Sequence, residues 1–133
     1  MLSIIMAFEI MFLIGRVLFG LFHINSGLGH LLQFRGTKEY AKAKKVPLPE
    51  LSVFLTAGLL LLGGASIVLG FYPQIGASLL VIFYIPVTLM MHQFWAVPKE
   101  QKMAEIINFT KNIALLGAAL VLFSLPLPWA YSL

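Results

Sequence analysis

Cysteine is absent from this chain. Without it there is no disulfide, no thiolate metal site and no thiol redox chemistry from the chain's own sulfur, whatever the compartment. Any redox role therefore needs a bound cofactor or a partner protein.

Charge is also scarce. Only 11% of the 133 residues are charged and 60% are hydrophobic, whereas ordinary soluble domains have about 25% and about 45–50%. The mean hydropathy is +0.96. Four membrane helices of about 20 residues, joined by short connections, would use nearly the whole chain. This leaves no room for a soluble domain.

The net charge of +4 comes mainly from lysines and arginines in two loops, at residues 35–50 and 99–102. In a membrane protein, such loops report orientation and contact with anionic lipid rather than nucleic-acid binding. We therefore expect membrane lipid, and no nucleic acid, among the partners.

The apolar runs predict an all-α polytopic membrane protein, a four-transmembrane-helix bundle that forms one membrane domain over residues 1–133. The predicted spans cover about residues 3–22, 51–70, 75–94 and 104–125. After the first span we expect a short interfacial helix within residues 37–45, where good helix formers precede Pro47. Glycines in residues 25–29 predict a bend or break, and Pro86 predicts a kink.

Ionisable residues recur every seven positions in the first span. They are Glu9, Arg16, His23 and His30. Seven residues is almost two helical turns, so the four lie near one face and drift by only about 20° per step. Because a charge in hydrocarbon costs roughly 2.5–3.5 kcal/mol on insertion scales, this face should point at other helices or a wet cavity. We expect Arg16 near mid-membrane, within reach of polar groups on another span or of trapped water. The nearest candidates are Asn112, Thr56 and the neighbours of Lys111.

Polar residues of the third and fourth spans lie toward the charged loops and suggest a pocket inside the bundle. The candidate ligand-binding residues are Arg16, His23, His92, Asn108, Lys111 and Asn112. Burying Arg16 and Lys111 with few carboxylates nearby leaves positive charge that an acidic ligand, a quinone carbonyl or backbone carbonyls would stabilise. Two alternatives stay open. Arg16 is either a structural anchor or a ligand for an anion or headgroup, and Lys111 either lines the pocket or snorkels to the interface.

Metal-ligand chemistry is also present in the polar set. The residues concerned are His23, His30, His92 and Glu105. They come from separate segments and lack a short spacing such as His-x-x-x-His. We therefore assign no metal site and favour histidines that form hydrogen bonds within the bundle.

Several motifs occur in order along the chain. They are Gly15-Arg16, Gly63-Gly64 with Leu69-Gly70, His92-Gln93-Phe94-Trp95, and Phe109-Thr110-Lys111-Asn112-Ile113-Ala114-Leu115-Leu116-Gly117. Together they resemble the DoxX family of small four-helix membrane proteins over nearly the whole chain. Many members carry an acidic residue shortly before the paired glycines. This sequence has leucines at residues 59–62, so a role that needs that carboxylate is not carried over.

The resemblance implies a range of functions. Members are associated with thiosulfate:quinone oxidoreductase, with membrane complexes that handle oxidative stress, and with quinone or catechol tolerance, and a distant animal relative assists receptor assembly. The fold cannot choose among these roles, because one fold serves many functions.

Two hypotheses from different classes account for the residues. In the first, an inner-membrane (plasma-membrane) protein binds a quinone-like or other small amphipathic ligand in the polar pocket, as an accessory subunit of a redox or stress-defence system with a redox-protein partner. In the second, the chain is a non-catalytic scaffold or assembly factor. The residues leave open whether the chain catalyses a reaction. Glycine-lined spans allow a homodimer as well as packing within one bundle.

The orientation can be tested directly. Seven lysines and arginines lie in the first and third loops and none in the second loop or the termini, so the positive-inside rule predicts cytoplasmic loops and both termini outside. The N-terminal run lacks a basic start and a convincing cleavage site, so we expect it to be retained rather than removed as a signal peptide. A cysteine replacing Leu133 should react with a membrane-impermeant reagent from outside. Labelling from the cytoplasmic side alone would reverse the assignment.

Overall fold

Four long apolar helices and one short polar helix make up the protein. The computed structural model describes residues 1–133 and places α1 at Leu2–Leu32, α2 at Phe34–Ala43, α3 at Pro49–Leu69, α4 at Pro73–Met91 and α5 at Lys99–Ser124. All but α2 are long and apolar enough to cross a membrane. The predicted all-α four-span bundle with a short helix after the first span is thus confirmed. The chain is an integral membrane protein.

The helices pack in a row rather than as a closed ring. α1 packs mainly against α3, α3 against α4, and α4 against α5, while α2 lies against α3 and the end of α1. We call one end of the bundle the charged end, which holds residues 33–48 and 92–102. The other is the turn end, which holds the α3–α4 turn at residues 70–72 and the C-terminal segment at residues 125–133. Both chain termini belong to the turn end.

Glycines bring α1 and α3 into close contact. A Cβ on Gly64 would stand 2.7 Å from the Gly20 carbonyl oxygen, and a Cβ on Gly27 would stand 3.1 Å from the Ala57 carbonyl oxygen. Small residues let helix backbones approach in this way in membranes, where packing rather than hydrophobic burial drives association. These contacts set the antiparallel register of the two helices.

Most of the protein's apolar surface faces outward. Only 23 of 133 residues are buried, so the bundle has a thin interior and an outer layer of leucine, isoleucine and phenylalanine. The main buried cluster joins α3, α4, α5 and the C-terminal segment through Leu60, Ile67, Ala77, Leu80, Phe83, Tyr84, Ala119 and Trp129. Lipid chains solvate such an exterior, and water would not.

The predicted break at residues 25–29 is wrong, whereas a bend there stays a prediction. α1 is helical without interruption to Leu32, and Gly27 packs closely against α3. The Ser26 hydroxyl donates to the Phe22 carbonyl at 2.9 Å, which keeps this polar group satisfied within the helix. α4 also remains helical through Pro86, and the kink there stays a prediction.

The register of α1 moves Arg16 away from its predicted depth. The Arg16 guanidinium lies against Gly70, the residue that caps α3, so Arg16 is at the turn end rather than mid-bundle. Residues 2–15 therefore extend past the α3–α4 turn, and most of their side chains are exposed.

The close α1–α3 contact can be tested with two alanines on one helix. Gly64→Ala should lower the free energy of unfolding of the purified protein by about 1–3 kcal/mol, and with it the melting temperature, because the new Cβ meets the α1 backbone. Gly58→Ala is the matched control, since a Cβ there meets nothing within 4 Å. Equal melting temperatures for the two variants would show that α1 does not pack on α3 through Gly64.

Candidate functional site

A cavity of about 390 Å³ lies in the half of the bundle nearer the charged end. Its size falls within the range of about 300–1,000 Å³ typical of small-molecule pockets. All five helices contribute to its wall, which includes Phe22, Ser26, His30, Tyr40, Thr56, Leu60, Phe83, Tyr84, Val87, Met91, His92, Lys111 and Asn112. It arises because α1 and α5 stand on opposite sides of the α3–α4 pair and make few contacts with each other.

Two neighbouring residues of α5 bring unpaired polar groups to this wall. Asn112 is buried, with 6% of its surface exposed, and its amide makes no hydrogen bond to protein while it lines the cavity. Lys111 is exposed and also lines the cavity. The two ion pairs in the structure both involve Glu105, so the Lys111 ammonium has no carboxylate partner. Both groups can donate hydrogen bonds to a ligand oxygen.

His23 lies behind the cavity wall rather than in it. Its ring is fully buried, with Nδ1 2.6 Å from the Phe19 carbonyl oxygen and Nε2 2.7 Å from the Tyr84 hydroxyl. A carbonyl only accepts, so Nδ1 donates, and in a neutral ring Nε2 must then accept from Tyr84. His23 therefore orients Tyr84, which faces the cavity.

His30 forms the next polar contact along α1. Its Nδ1 lies 3.1 Å from the Thr56 hydroxyl on α3, and both residues line the cavity. The seven-residue spacing thus places His23 and His30 on the interior side of α1, as predicted.

Glu105 is the polar hub at the charged end. Its Oε1 accepts from Lys44 Nζ at 3.2 Å and from the Tyr40 hydroxyl at 3.4 Å, and its Oε2 accepts from His92 Nδ1 at 2.9 Å. Burial, together with the charge of Glu105, raises the pKa of Tyr40 above that of free tyrosine, so its hydroxyl stays protonated and can donate at neutral pH. One carboxylate therefore ties α2 and the end of α4 to α5.

Arg16 is buried, as expected for a charge in a membrane helix, but its predicted partners are wrong. Only 2% of its surface is exposed, and Nη2 donates to the Tyr131 carbonyl of the C-terminal segment. Asn112 and Thr56 both lie by the cavity at the other end of the bundle. The α1–α3 register separates them from Arg16, which therefore does not share the cavity with the other candidates.

The remaining candidates divide by position. His92 lines the cavity beside Lys111 and Asn112, whereas Asn108 is half-buried one turn before Asn112 and is not part of the wall. No three His, Asp or Glu side chains come together in a cluster with metal-ligand geometry. Of the four residues with metal-ligand chemistry, only His92 and Glu105 are in contact.

Sequence reasoning missed two contributors to the site, Tyr84 and Tyr40, and it assigned Thr56 to Arg16 rather than to His30. A tyrosine deep in an apolar span, such as Tyr84, was a usable signal, because a buried hydroxyl needs a partner. Tyr40 gave no such signal, because its contact with Glu105 joins residues 65 positions apart.

The Glu105 hub can be tested by removing its charge. Glu105→Gln should loosen α2, and backbone amides of residues 34–43 should exchange hydrogen about tenfold faster, since hydrogen bonds to charged groups are the strong ones. Glu100→Gln, an exposed change in the first turn of the same helix, is the control. Unchanged exchange in the Glu105 variant would mean that the hub does not hold α2.

Comparisons with known proteins agree with this architecture. The sequence profile of the DoxX family matches residues 11–93. The inner membrane protein YphA of Escherichia coli (strain K12) is 28% identical over 113 residues, which cover 85% of this chain and 81% of that protein. No solved structure matches the chain. The resemblance in the sequence motifs is thus confirmed, and the chain belongs to the DoxX family.

Proposed function

We propose that the cavity binds a small amphipathic molecule, quinone-like in its polar head, and that the protein serves as an accessory subunit of a redox or stress-defence system. One observation carries the proposal. The wall is mainly apolar but includes, at Lys111 and Asn112, hydrogen-bond donors that no protein group satisfies. Apolar pockets with a few such polar groups are the usual form of small-molecule sites.

The two parts of the wall suit the two parts of such a ligand. The Lys111 ammonium and the Asn112 amide can donate to a carbonyl oxygen of the head. Phe83, Val87 and Met91 offer apolar surface to a ring or tail. Methionine adapts to irregular shapes and contacts aromatic rings favourably. The cavity wall also includes exposed Phe22 and Leu55, so an apolar tail has a path toward lipid.

His92 and Glu105 support a role in handling protons. They lie at the charged end, hydrogen-bonded to each other at 2.9 Å, and His92 borders the cavity. In this proposal the pair exchanges a proton between a ligand oxygen and the adjacent aqueous phase. The chain contains no cysteine, so electrons come from a redox-protein partner.

The proposal includes a location and an assembly. The relative from Escherichia coli is named an inner membrane protein, and we place this protein in the corresponding inner (plasma) membrane with both termini outside. A homodimer is compatible with the row of helices, because α1 and α5 each leave a flank free.

Ligand binding can be tested with decylubiquinone, a short-chain quinone. Asn112→Leu should abolish the rise in melting temperature that decylubiquinone produces in purified wild-type protein, because the amide that donates to the head is lost. Asn25→Leu is the matched control on an exposed face of α1. Mass spectrometry of lipophilic extracts should find a co-purified compound in wild-type protein and less in the Asn112 variant. The proposal would be refuted if decylubiquinone did not shift the melting temperature of wild-type protein and no bound compound were found in it.

A non-catalytic scaffold is the second candidate, and the exposed apolar surface of residues 2–15 favours it. If the polar residues serve only to hold the bundle together, Lys111→Ala and Arg16→Ala should both lower cellular abundance. If the cavity binds a ligand, Lys111→Ala should leave a folded protein of normal abundance that no longer binds it. Immunoblots of membranes together with the thermal-shift assay separate these outcomes.

A further inference from the structure

A guanidinium is buried at the turn end without an anionic partner. Arg16 is 2% exposed, and its Nε and Nη1 atoms are buried and have no hydrogen-bond acceptor. Its one hydrogen bond runs from Nη2 to the Tyr131 carbonyl. No carboxylate lies within ion-pair distance.

A second buried donor lies beside it. Trp129, in the C-terminal segment, is 6% exposed, and its Nε1 also has no acceptor. The Arg16 guanidinium lies 5.7 Å from the Trp129 ring centre and 5.8 Å from that of Phe12. The aromatic faces stabilise the cation in part, but they accept none of the unpaired N–H groups.

Buried N–H groups without acceptors, beside a buried positive charge, favour the binding of an anion that has oxygen acceptors. A buried charge is costly unless it is paired, and a buried donor without an acceptor is destabilising because it has lost its hydrogen bonds to water. Three nitrogens on two adjacent side chains call for an acceptor with several oxygens and negative charge, which is the chemistry of a phosphate group.

Few other charged side chains lie near the guanidinium. Gly70 allows the guanidinium to approach, because a Cβ at Gly70 would stand 2.7 Å from Arg16 Nη1. Residues 70–74 and 125–133 contain no charged side chain. The nearest acidic residue on α1, Glu9, is seven positions away, about 10.5 Å along the helix.

The C-terminal segment, residues 125–133, lies beside this site. Residues 125–133 are held to the helices by few polar contacts, among them the Leu133 amide to the Leu69 carbonyl at 3.0 Å and the Arg16 bond to Tyr131. Pro126, Leu127 and Pro128 are exposed, whereas Trp129 packs in the buried cluster. The turn end also exposes Phe71 and Tyr72, aromatic residues typical of the headgroup region of a bilayer.

We propose that Arg16 and Trp129 form a binding site for a phosphate group at the turn end, separate from the cavity at the charged end. The group comes either from the headgroup of a phospholipid or from free phosphate. In either case the guanidinium supplies the charge and the indole N–H a directed hydrogen bond.

The experiment measures the melting temperature of the full chain in detergent against three additives. Dihexanoyl phosphatidylglycerol represents the lipid headgroup, inorganic phosphate the free anion, and dihexanoylglycerol the same chains without phosphate. We expect saturable stabilisation by at least one phosphate-bearing additive and none by dihexanoylglycerol. Stabilisation by phosphatidylglycerol alone assigns a lipid ligand, and stabilisation by inorganic phosphate assigns the free anion.

Three variants tie the effect to the site. Arg16→Gln should abolish the stabilisation, but it also removes the anchor of residues 125–133. Trp129→Phe therefore provides the second variant, because it keeps an aromatic ring beside Phe12 while it removes the N–H together with one ring of the indole. It should weaken the apparent affinity about tenfold. Lys42→Gln, an exposed change at the charged end, should bind like wild type. The proposal is overturned if no phosphate-bearing additive stabilises the wild type, if dihexanoylglycerol stabilises it equally, or if Trp129→Phe binds with wild-type affinity.

Discussion

The contact between the α1 and α3 backbones determines where every polar residue of α1 lies. Gly20 meets Gly64, and Gly27 meets Ala57, so the two helices have one close register. That register places His23 within hydrogen-bond distance of Tyr84 and places Arg16 at the turn end. A shift by one helical turn, about 5.4 Å, would separate these partners. The site chemistry therefore depends on residues that have no side chain of their own.

The cavity exists because the helices form a row. α1 and α5 each pack on one side of the α3–α4 pair, and the space between them at the charged end is bridged by α2 and the Glu105 hub rather than filled by apolar side chains. Polar contacts thus hold the helices together at the charged end, whereas the buried apolar cluster around Leu80 holds them together nearer the turn end.

The apolar runs predicted the four spans, because a helix of about 20 apolar residues satisfies its backbone hydrogen bonds within the bilayer. The seven-residue spacing correctly placed His23 on the interior side of α1, but a periodic pattern gives a face and not a depth. The break predicted at residues 25–29 was wrong, since glycine permits both an interruption of a helix and a close approach, and only a neighbouring helix decides between them. The partner of Arg16 could not be predicted from the sequence, because it is the backbone carbonyl of Tyr131, and a backbone carbonyl is present at every residue.

The length of α1 has a consequence for the surrounding lipid. Its 31 residues span about 46 Å at 1.5 Å per residue, whereas the 19 residues of α4 span about 28 Å, close to the hydrocarbon thickness of about 30 Å. Tilt alone would have to reach about 50° to fit α1, beyond the observed range of about 0–40°. The last ten residues of α1 include Asn25, Ser26 and His30, which suit the headgroup region better than hydrocarbon. With its headgroup regions a bilayer is about 40–45 Å thick, so α1 is long enough to cross its full depth, whereas α4 crosses only the hydrocarbon.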